Sequence, residues 1–193
     1  QESVRKLSFT TKKTMQIAQM LYEGVDIEGE GTVGLISYIR TDSTRLSDEA
    51  LTAARDYISA NFAPEYLPET PNIYKGRKNA QDAHEAIRPT HALFSPEKVK
   101  ASLTRDQYRL YKLIYDRYLA SQMTPAVYDT LAVELGSGEA QFRFGGMKKK
   151  FAGFTVLYEE SQDEPAEKES NLPKVQVGDQ VTMKELDAEQ HFT

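Results

Sequence analysis

The spacing of apolar residues changes at Thr124 and Pro125, and this change constrains the fold more than any other feature of the chain. Before it, apolar side chains recur at helical spacing, as in TTKKTMQIAQMLYE at residues 10–23. After it, short alternating runs such as VYDTLAVEL are separated by glycine-containing turns, which is typical of strands. The sequence therefore predicts an α+β fold, with a mainly helical domain at 1–125 and a β-rich segment at 126–193.

Capping residues and turn residues set the limits of the predicted elements. Ser47 is predicted to start a helix that ends near Asn61, and Thr104 with Gln107 forms a capping box before the longest helix. The sequence predicts a loop in VDIEGEGTVG, a short run of strand character in GLISYI and one or two helical turns in AQDAHEAI. Further strands are predicted in AQFRFGG, KKFAGFTVLYEE and PKVQVGDQVTM, with an acidic loop at about 159–172.

Composition excludes several classes of protein. The chain is 39% hydrophobic and 27% charged, which is ordinary for a globular domain, and it has no apolar run long enough to cross a membrane. Cysteine is absent and the three histidines lie far apart, so no zinc site is expected. The net charge is −5, but acidic residues concentrate after Glu159, so a local basic face for DNA remains compatible with the composition. The polar start QESVRKLSFT and the end DAEQHFT lead us to expect a segment of a longer protein.

The stretch ISYIRTDSTRLSDEA at 36–50 concentrates groups that can handle a phosphate. Ionising an ordinary phenol at pH 7 costs roughly 4 kcal/mol. A neighbouring guanidinium lowers that cost and can also neutralise a phosphate oxygen. In an extended segment Tyr38 and Arg40 would share one face, which suits attack on a phosphodiester. From these residues two interpretations stay open: a catalytic pair, or a structural tyrosine beside a surface arginine in a polar loop.

Four motifs, taken in order, resemble those of one enzyme family. GLISYIRTDSTRLS resembles the active-site tyrosine motif of the bacterial type IA DNA topoisomerases, and AQDAHEAIRPT resembles a second signature of that family. LSFTTKKTMQIAQMLYEG is similar to the helix that precedes the tyrosine, and MTPAVYD to the return into the β-rich arch. The resemblance covers most of residues 1–160, and the HEAIRPT sequence is more similar to the topoisomerase I branch than to the topoisomerase III branch.

The resemblance implies a role for each matching residue. Tyr38 is implied to be the nucleophile that forms a transient 5′-phosphotyrosyl bond to one DNA strand. Arg40 is implied to assist the tyrosine and the scissile phosphate, and His84 is implied either to contact the phosphate or to support that network. Supporting or DNA-contacting roles are implied for Thr41, Asp42, Ser43, Glu85 and Arg88, with Asp42 orienting the network. Such an enzyme cleaves one strand, passes a strand and religates, and so relaxes negative supercoils without ATP.

The resemblance also implies parts that this sequence lacks. The family binds Mg²⁺ through a Toprim domain, which nothing in this chain matches, so we expect no metal ligands here and no activity from the fragment alone. Asp26, Glu28 and Glu30 superficially copy an acidic triad, but we interpret them as a solvated loop. The expected partners are single-stranded or underwound DNA and the remaining domains of the enzyme. The expected location is the bacterial cytoplasm, in association with the nucleoid.

Other interpretations remain open for the whole chain and for two of its features. The alternative function is a non-catalytic nucleic-acid-binding or protein-interaction module of similar helical fold. The four tyrosines of the longest predicted helix could stack on bases, but their helical spacing favours core packing: Tyr108, Tyr111, Tyr115 and Tyr118. Lys148–Lys150 are predicted to lie in an exposed turn region, where they could contact DNA.

Overall fold

The structure, a computed structural model, describes residues 1–74, 84–159, 173–182, 184, 185 and 187. The chain divides into two compact units, Gln1–Tyr128 with Lys149–Ala166 and Asp129–Lys148 with Glu167–Thr193. The described helices lie in the first unit, and most of a long β hairpin lies in the second. This combination of helices and strands confirms the predicted α+β class.

The described part of the first unit contains five α-helices: α1 (Glu2–Leu7), α2 (Thr11–Glu23), α3 (Asp48–Asn61), α4 (Pro96–Val99) and α5 (Arg105–Ser121). The predicted caps are confirmed, because Ser47 Oγ accepts the Ala50 N–H and Thr104 forms a complete capping box with Gln107. Helix α1 is an addition to the prediction. None of the helices in the described ranges is both long and apolar enough to cross a membrane.

The strands in the described residues form two antiparallel hairpins. The prediction of a loop in VDIEGEGTVG was wrong, since β1 (Val25–Ile27) pairs with β2 (Gly31–Val33). Gly29 and Gly31, at φ values of +82° and +78°, allow the tight reversal between these strands. β3 (Val127–Ser137) pairs with β4 (Ala140–Phe151), as predicted for VYDTLAVEL and AQFRFGG. Lys148–Lys150 therefore lie on β4 itself rather than in a turn.

Several predicted elements are absent from the described residues. GLISYI contributes only an isolated bridge between Ile36 and Pro89. The ladder stops there because the Leu35 N–H donates to the Leu21 carbonyl and the Arg88 N–H donates to Ser37 Oγ. His84–Ala86 are not helical, and the first part of AQDAHEAI lies outside the described residues. In KKFAGFTVLYEE the strand ends at Phe151, and a 3₁₀ turn at Gly153–Val156 follows, beginning at a glycine with a φ of +50°. No strand forms in residues 173–182, whose side chains are all exposed and bury no apolar face. Of the predicted acidic loop, residues 160–172 lie outside the described residues.

Helix α5 packs against α1, α2, α3 and α4 and supplies much of the core of the first unit. Three of its tyrosines are buried, and each hydroxyl donates to a backbone carbonyl: Tyr111 to Phe94 at 2.6 Å, Tyr115 to Ala92 at 2.5 Å and Tyr118 to Ala50 at 2.6 Å. Each ring thus buries a large apolar area without leaving a polar atom unpaired. Core packing is confirmed for these three, whereas Tyr108 is only half-buried and donates to Glu97.

Candidate active site around Tyr38

The backbone before Tyr38 is held by a segment that lies about fifty residues further along the chain. Ser37 N–H donates to the Arg88 carbonyl at 2.8 Å, and Ser37 Oγ donates to the Ala86 carbonyl at 2.8 Å. The same Oγ accepts the Arg88 N–H at 2.9 Å, and Thr90 Oγ1 donates to the Gly34 carbonyl at 2.7 Å. These bonds fix residues 34–37 against 86–90 and bring the two signature motifs together.

The end of helix α2 supports the same segment from another direction. Leu35 N–H donates to the Leu21 carbonyl at 2.8 Å, and the Leu35 and Leu21 side chains are fully buried. Gly34 passes so close to the helix that an added Cβ would lie 2.7 Å from the Tyr22 carbonyl oxygen. The apolar residues Leu35 and Ile36 therefore anchor the segment in the core, and the chain leaves the core at Ser37.

Tyr38 lies on the surface in an irregular segment. Its side chain is 56% exposed, and the Arg40 N–H donates to the Tyr38 carbonyl at 2.9 Å, closing a three-residue turn. This turn interrupts the extended backbone that was predicted for the segment, while Tyr38 and Arg40 both have His84 as a neighbour. The Tyr38 ring meets the Tyr22 ring edge-on at 5.6 Å between centroids and lies 6.4 Å from the His84 ring.

Arg40 links two other predicted site residues. One guanidinium nitrogen, NH1, lies 3.2 Å from His84 Nε2, and Nε lies 3.0 Å from Asp42 Oδ2. Because a guanidinium only donates, His84 Nε2 can take part in this hydrogen bond only as the acceptor. His84 Nδ1 is buried and has no hydrogen-bond partner among the described residues. Tyr38, Arg40, Asp42 and His84 are thus brought into one cluster.

Glu85 and Arg88 form a second, adjoining pair. Arg88 Nε donates to Glu85 Oε2 at 2.7 Å, and a terminal nitrogen of Arg88 donates to the Pro89 carbonyl at 2.9 Å. Burial of the Glu85 carboxyl opposes its ionisation. The hydrogen bond and charge of Arg88, a bond from Ser47 and the charge of Arg45 outweigh burial and hold the pKa of Glu85 below its ordinary value. The pair fixes the second motif and gives it a permanent cation.

The two remaining predicted site residues are placed less centrally. Thr41 is exposed. Ser43 is half-buried, and its Oγ accepts the Arg45 N–H at 3.2 Å, so this hydroxyl shapes the turn toward α3.

The described residues around Tyr38 do not fit Mg²⁺. This ion prefers carboxylate and other oxygen ligands, whereas the cluster offers a guanidinium, an imidazole and an Asp42 carboxylate already paired with Arg40. No group of three His, Cys, Asp or Glu suited to a metal ion is found in the described ranges. Asp26, Glu28 and Glu30 belong to the β1–β2 hairpin, where Asp26 accepts a hydrogen bond from Thr32 and Glu30 pairs with Lys98.

Comparison with known proteins fits this arrangement. The family model for DNA topoisomerase matches residues 1–193, the whole chain. The chain belongs to the bacterial type IA DNA topoisomerase family. A solved structure of full-length topoisomerase I from Thermotoga maritima is similar to it, with 39% identity and a TM-score of 0.70 over 88% of this chain. The match spans 27% of the length of the Thermotoga protein, so the topoisomerase chain described here corresponds to about a quarter of that relative.

Two residues of the cluster around Tyr38 were missed by reasoning from the sequence. Tyr22 contacts the Tyr38 ring, and Ser37 exchanges three hydrogen bonds with residues 86 and 88. Ser37 could have been noticed as a hydroxyl within an otherwise apolar run. The sequence gave less indication that Tyr22 belongs to the cluster, because an apolar residue near the end of an amphipathic helix is ordinarily assigned to the core.

Proposed function

We propose that this chain is the tyrosine-bearing part of a longer type IA topoisomerase that cleaves and reseals one DNA strand through Tyr38. Residues 1–125 form the tyrosine-bearing domain in this proposal, and 126–193 begin the arch. The observation that carries the proposal is the cluster itself. An exposed tyrosine lies beside Arg40 and His84, which come from two motifs and contact each other at 3.2 Å.

The proposed reaction is a transesterification at phosphorus. Tyr38 Oη attacks the scissile phosphodiester, the new Oη–P bond forms, and the bond from phosphorus to the 3′ oxygen breaks. The phenolic proton is lost as the bond forms, and the departing 3′ oxygen takes up a proton to become a hydroxyl. The DNA 5′ phosphate is then held on Tyr38. Attack by the same hydroxyl reverses each change, so resealing conserves the bond energy and needs no ATP.

Arg40 and His84 act on the charge that develops in this reaction. The guanidinium of Arg40 stabilises the phenolate and a non-bridging phosphate oxygen, and Asp42 holds its orientation through the 3.0 Å contact. The His84 contact at 3.2 Å fixes the other side of the guanidinium and places the imidazole beside the Tyr38 ring. Arg88 is a second cation for the DNA backbone, and Thr41 and Ser43 offer hydroxyls to it.

The remaining components of the proposed enzyme lie outside this chain. Mg²⁺ is bound by the Toprim domain that the family resemblance implies, and the other domains of the enzyme complete the path of the DNA. The substrate is single-stranded or underwound DNA, and the enzyme relaxes negative supercoils by passing a strand through the transient break. We place this enzyme in the bacterial cytoplasm with the nucleoid.

The decisive experiment removes one oxygen from the proposed nucleophile. In the full-length enzyme, Tyr38→Phe is incubated with end-labelled single-stranded oligonucleotide and Mg²⁺, the mixture is denatured, and label attached to protein is measured. We expect no adduct from Tyr38→Phe while oligonucleotide binding stays close to wild type. Arg40→Ala and His84→Ala should keep the nucleophile and slow adduct formation by about 10²–10⁴-fold.

The matched control is Tyr128→Phe, which deletes the same atom from another exposed tyrosine at the start of β3. This control should form adduct at the wild-type rate. Adduct that persists in Tyr38→Phe would show that the nucleophile is another residue. Absence of adduct from the wild-type enzyme itself would favour the alternative, a non-catalytic nucleic-acid-binding or interaction module.

A further inference from the structure

The side chain of Tyr38 needs an external support if its hydroxyl is to be aimed at a phosphate. Tyr38 is 56% exposed and follows the last residue that is bonded to the 86–90 segment, Ser37. The short turn from Tyr38 to Arg40 constrains the backbone but not the side-chain torsions. An exposed aromatic ring on such a segment can take several rotamers, each of which places Oη at a different position.

Tyr22 supplies that support from a rigid element. Its ring meets the Tyr38 ring at 5.6 Å between centroids and an interplanar angle of 62°, the edge-to-face arrangement that aromatic pairs prefer. The imidazole of His84 lies 6.4 Å from the Tyr38 ring. The nucleophilic ring thus has an aromatic neighbour from α2 and another from the second motif.

The position of Tyr22 is itself fixed relative to the tyrosine segment. Tyr22 lies in the last turn of α2, next to the fully buried Leu21, whose carbonyl accepts the Leu35 N–H at 2.8 Å. The Tyr22 carbonyl lies against Gly34, where there is no room for a side chain. The backbone that carries Tyr22 and the backbone that carries Tyr38 are therefore joined three residues before the proposed nucleophile, so the spacing of these two backbone segments is well defined.

We infer that Tyr22 is a positioning residue for the cleavage reaction, which acts through Tyr38 by holding the nucleophilic ring in its attacking rotamer. This inference rests on the proposed function of Tyr38. The aromatic ring of Tyr22 carries the effect and its hydroxyl is dispensable. Tyr22 is 39% exposed, so the ring is placed for contact with Tyr38 rather than for filling the core.

The test compares Tyr22→Phe and Tyr22→Leu in the full-length enzyme. Single-turnover adduct formation is measured against oligonucleotide concentration, so that the maximal rate and the half-saturating concentration are obtained separately. Tyr22→Phe keeps the edge-to-face pair and should react at the wild-type rate. Tyr22→Leu should lower the maximal rate by about 2- to 10-fold with an unchanged half-saturating concentration. Tyr128→Leu, a change of the same type at a similarly exposed tyrosine (37% against 39%), should have no effect.

Two further measurements separate positioning from general damage. Thermal unfolding of Tyr22→Leu should stay close to wild type, and the pH at which its rate is half-maximal should not move, because the ring affects geometry and not ionisation. A wild-type rate for Tyr22→Leu would overturn the inference, as would a loss in Tyr22→Phe equal to that in Tyr22→Leu or a fall in rate matched by unfolding. Failure of wild-type enzyme to form adduct would instead refute the proposed function.

Discussion

The Glu85–Arg88 pair shows how one ion pair can serve both packing and the site. Its side chains are 25% and 17% exposed, so water screens their attraction less than at an open surface. Arg88 also donates to the Pro89 carbonyl, and Glu85 is stabilised by Ser47 at the start of α3. The Glu85 carboxylate therefore links the HEAIRPT segment to the start of α3, and its negative charge strengthens this link.

This arrangement predicts a pH-dependent contribution to stability. The folded pKa of Glu85 is lowered, so its contribution is complete above the ordinary value of 4.5 and is lost as pH falls through the lower folded pKa. At pH 7, Glu85→Gln should reduce the free energy of unfolding by about 1–2 kcal/mol. The difference from wild type should shrink steadily below pH 4.5 in urea unfolding measured from pH 7 to 3. A difference that grew on acidification would contradict the assignment.

At the scale of elements, the close contact between α2 and the segment that carries Tyr38 depends on a glycine, Gly34, which has no side chain. Gly34 lies against the Tyr22 carbonyl, and the buried residues that follow it, Leu35 and Ile36, cannot move outward without leaving the core. A side chain at this position must displace either the helix end or the segment that carries Tyr38. The approach of these two backbones is thus a direct link between helix packing and the geometry of the site.

Gly34→Ala is therefore expected to harm both stability and cleavage. The added Cβ would lie 2.7 Å from the Tyr22 carbonyl oxygen, and relief of that overlap should cost about 1–3 kcal/mol of unfolding free energy. Adduct formation by the full-length enzyme should fall as well, because the displaced segment carries the proposed nucleophile, Tyr38. The control is Gly136→Ala on β3, where an added Cβ would have no atom within 4 Å. Equal behaviour of the two variants in urea unfolding and in the adduct assay would refute the argument.

At the scale of the whole molecule, the chain carries the proposed nucleophile and the proposed cations, and no group of residues suited to a metal ion is found among the residues that the structure describes. The described cluster around Tyr38 pairs its carboxylate with Arg40, and the chain spans 27% of its Thermotoga relative. Most of the groups that would bind and guide two DNA strands are expected in the remaining length of such an enzyme. Strand passage should therefore depend on domains other than those described here.

The purified 193-residue chain is accordingly expected not to relax supercoiled plasmid in the presence of Mg²⁺. The full-length enzyme should relax the same plasmid under the same conditions, as judged by the distribution of topoisomers on a gel. A preparation of the chain that carries Tyr38→Phe controls for contaminating topoisomerase. Relaxation by the wild-type chain and not by this variant would show that the chain is sufficient by itself.

Local physical chemistry in the sequence was enough to determine much of this protein. The caps at Ser47 and Thr104 depend on hydrogen bonds to residues three positions away, so the starts of α3 and α5 could be predicted. The change from helical to alternating spacing likewise predicted the α+β class and the β3–β4 strands. Motif resemblance selected Tyr38, Arg40 and His84, and their roles remain predictions until the adduct assays are made.

Only the tertiary structure decided how those residues meet. Ser37 and Ala86 are 49 residues apart, and Arg40 and His84 are 44 apart, so no local rule could specify their hydrogen bonds. Tertiary bonding to 86–90 also overrides the strand character of GLISYI and leaves Tyr38 in an exposed turn. The contact of Tyr22 with Tyr38 arises in the same way, because it depends on where the buried Leu35 draws the chain against the end of α2. Short-range propensities fix the starts of α3 and α5 and the β3–β4 strands, whereas burial and long-range hydrogen bonds fix the geometry of the site.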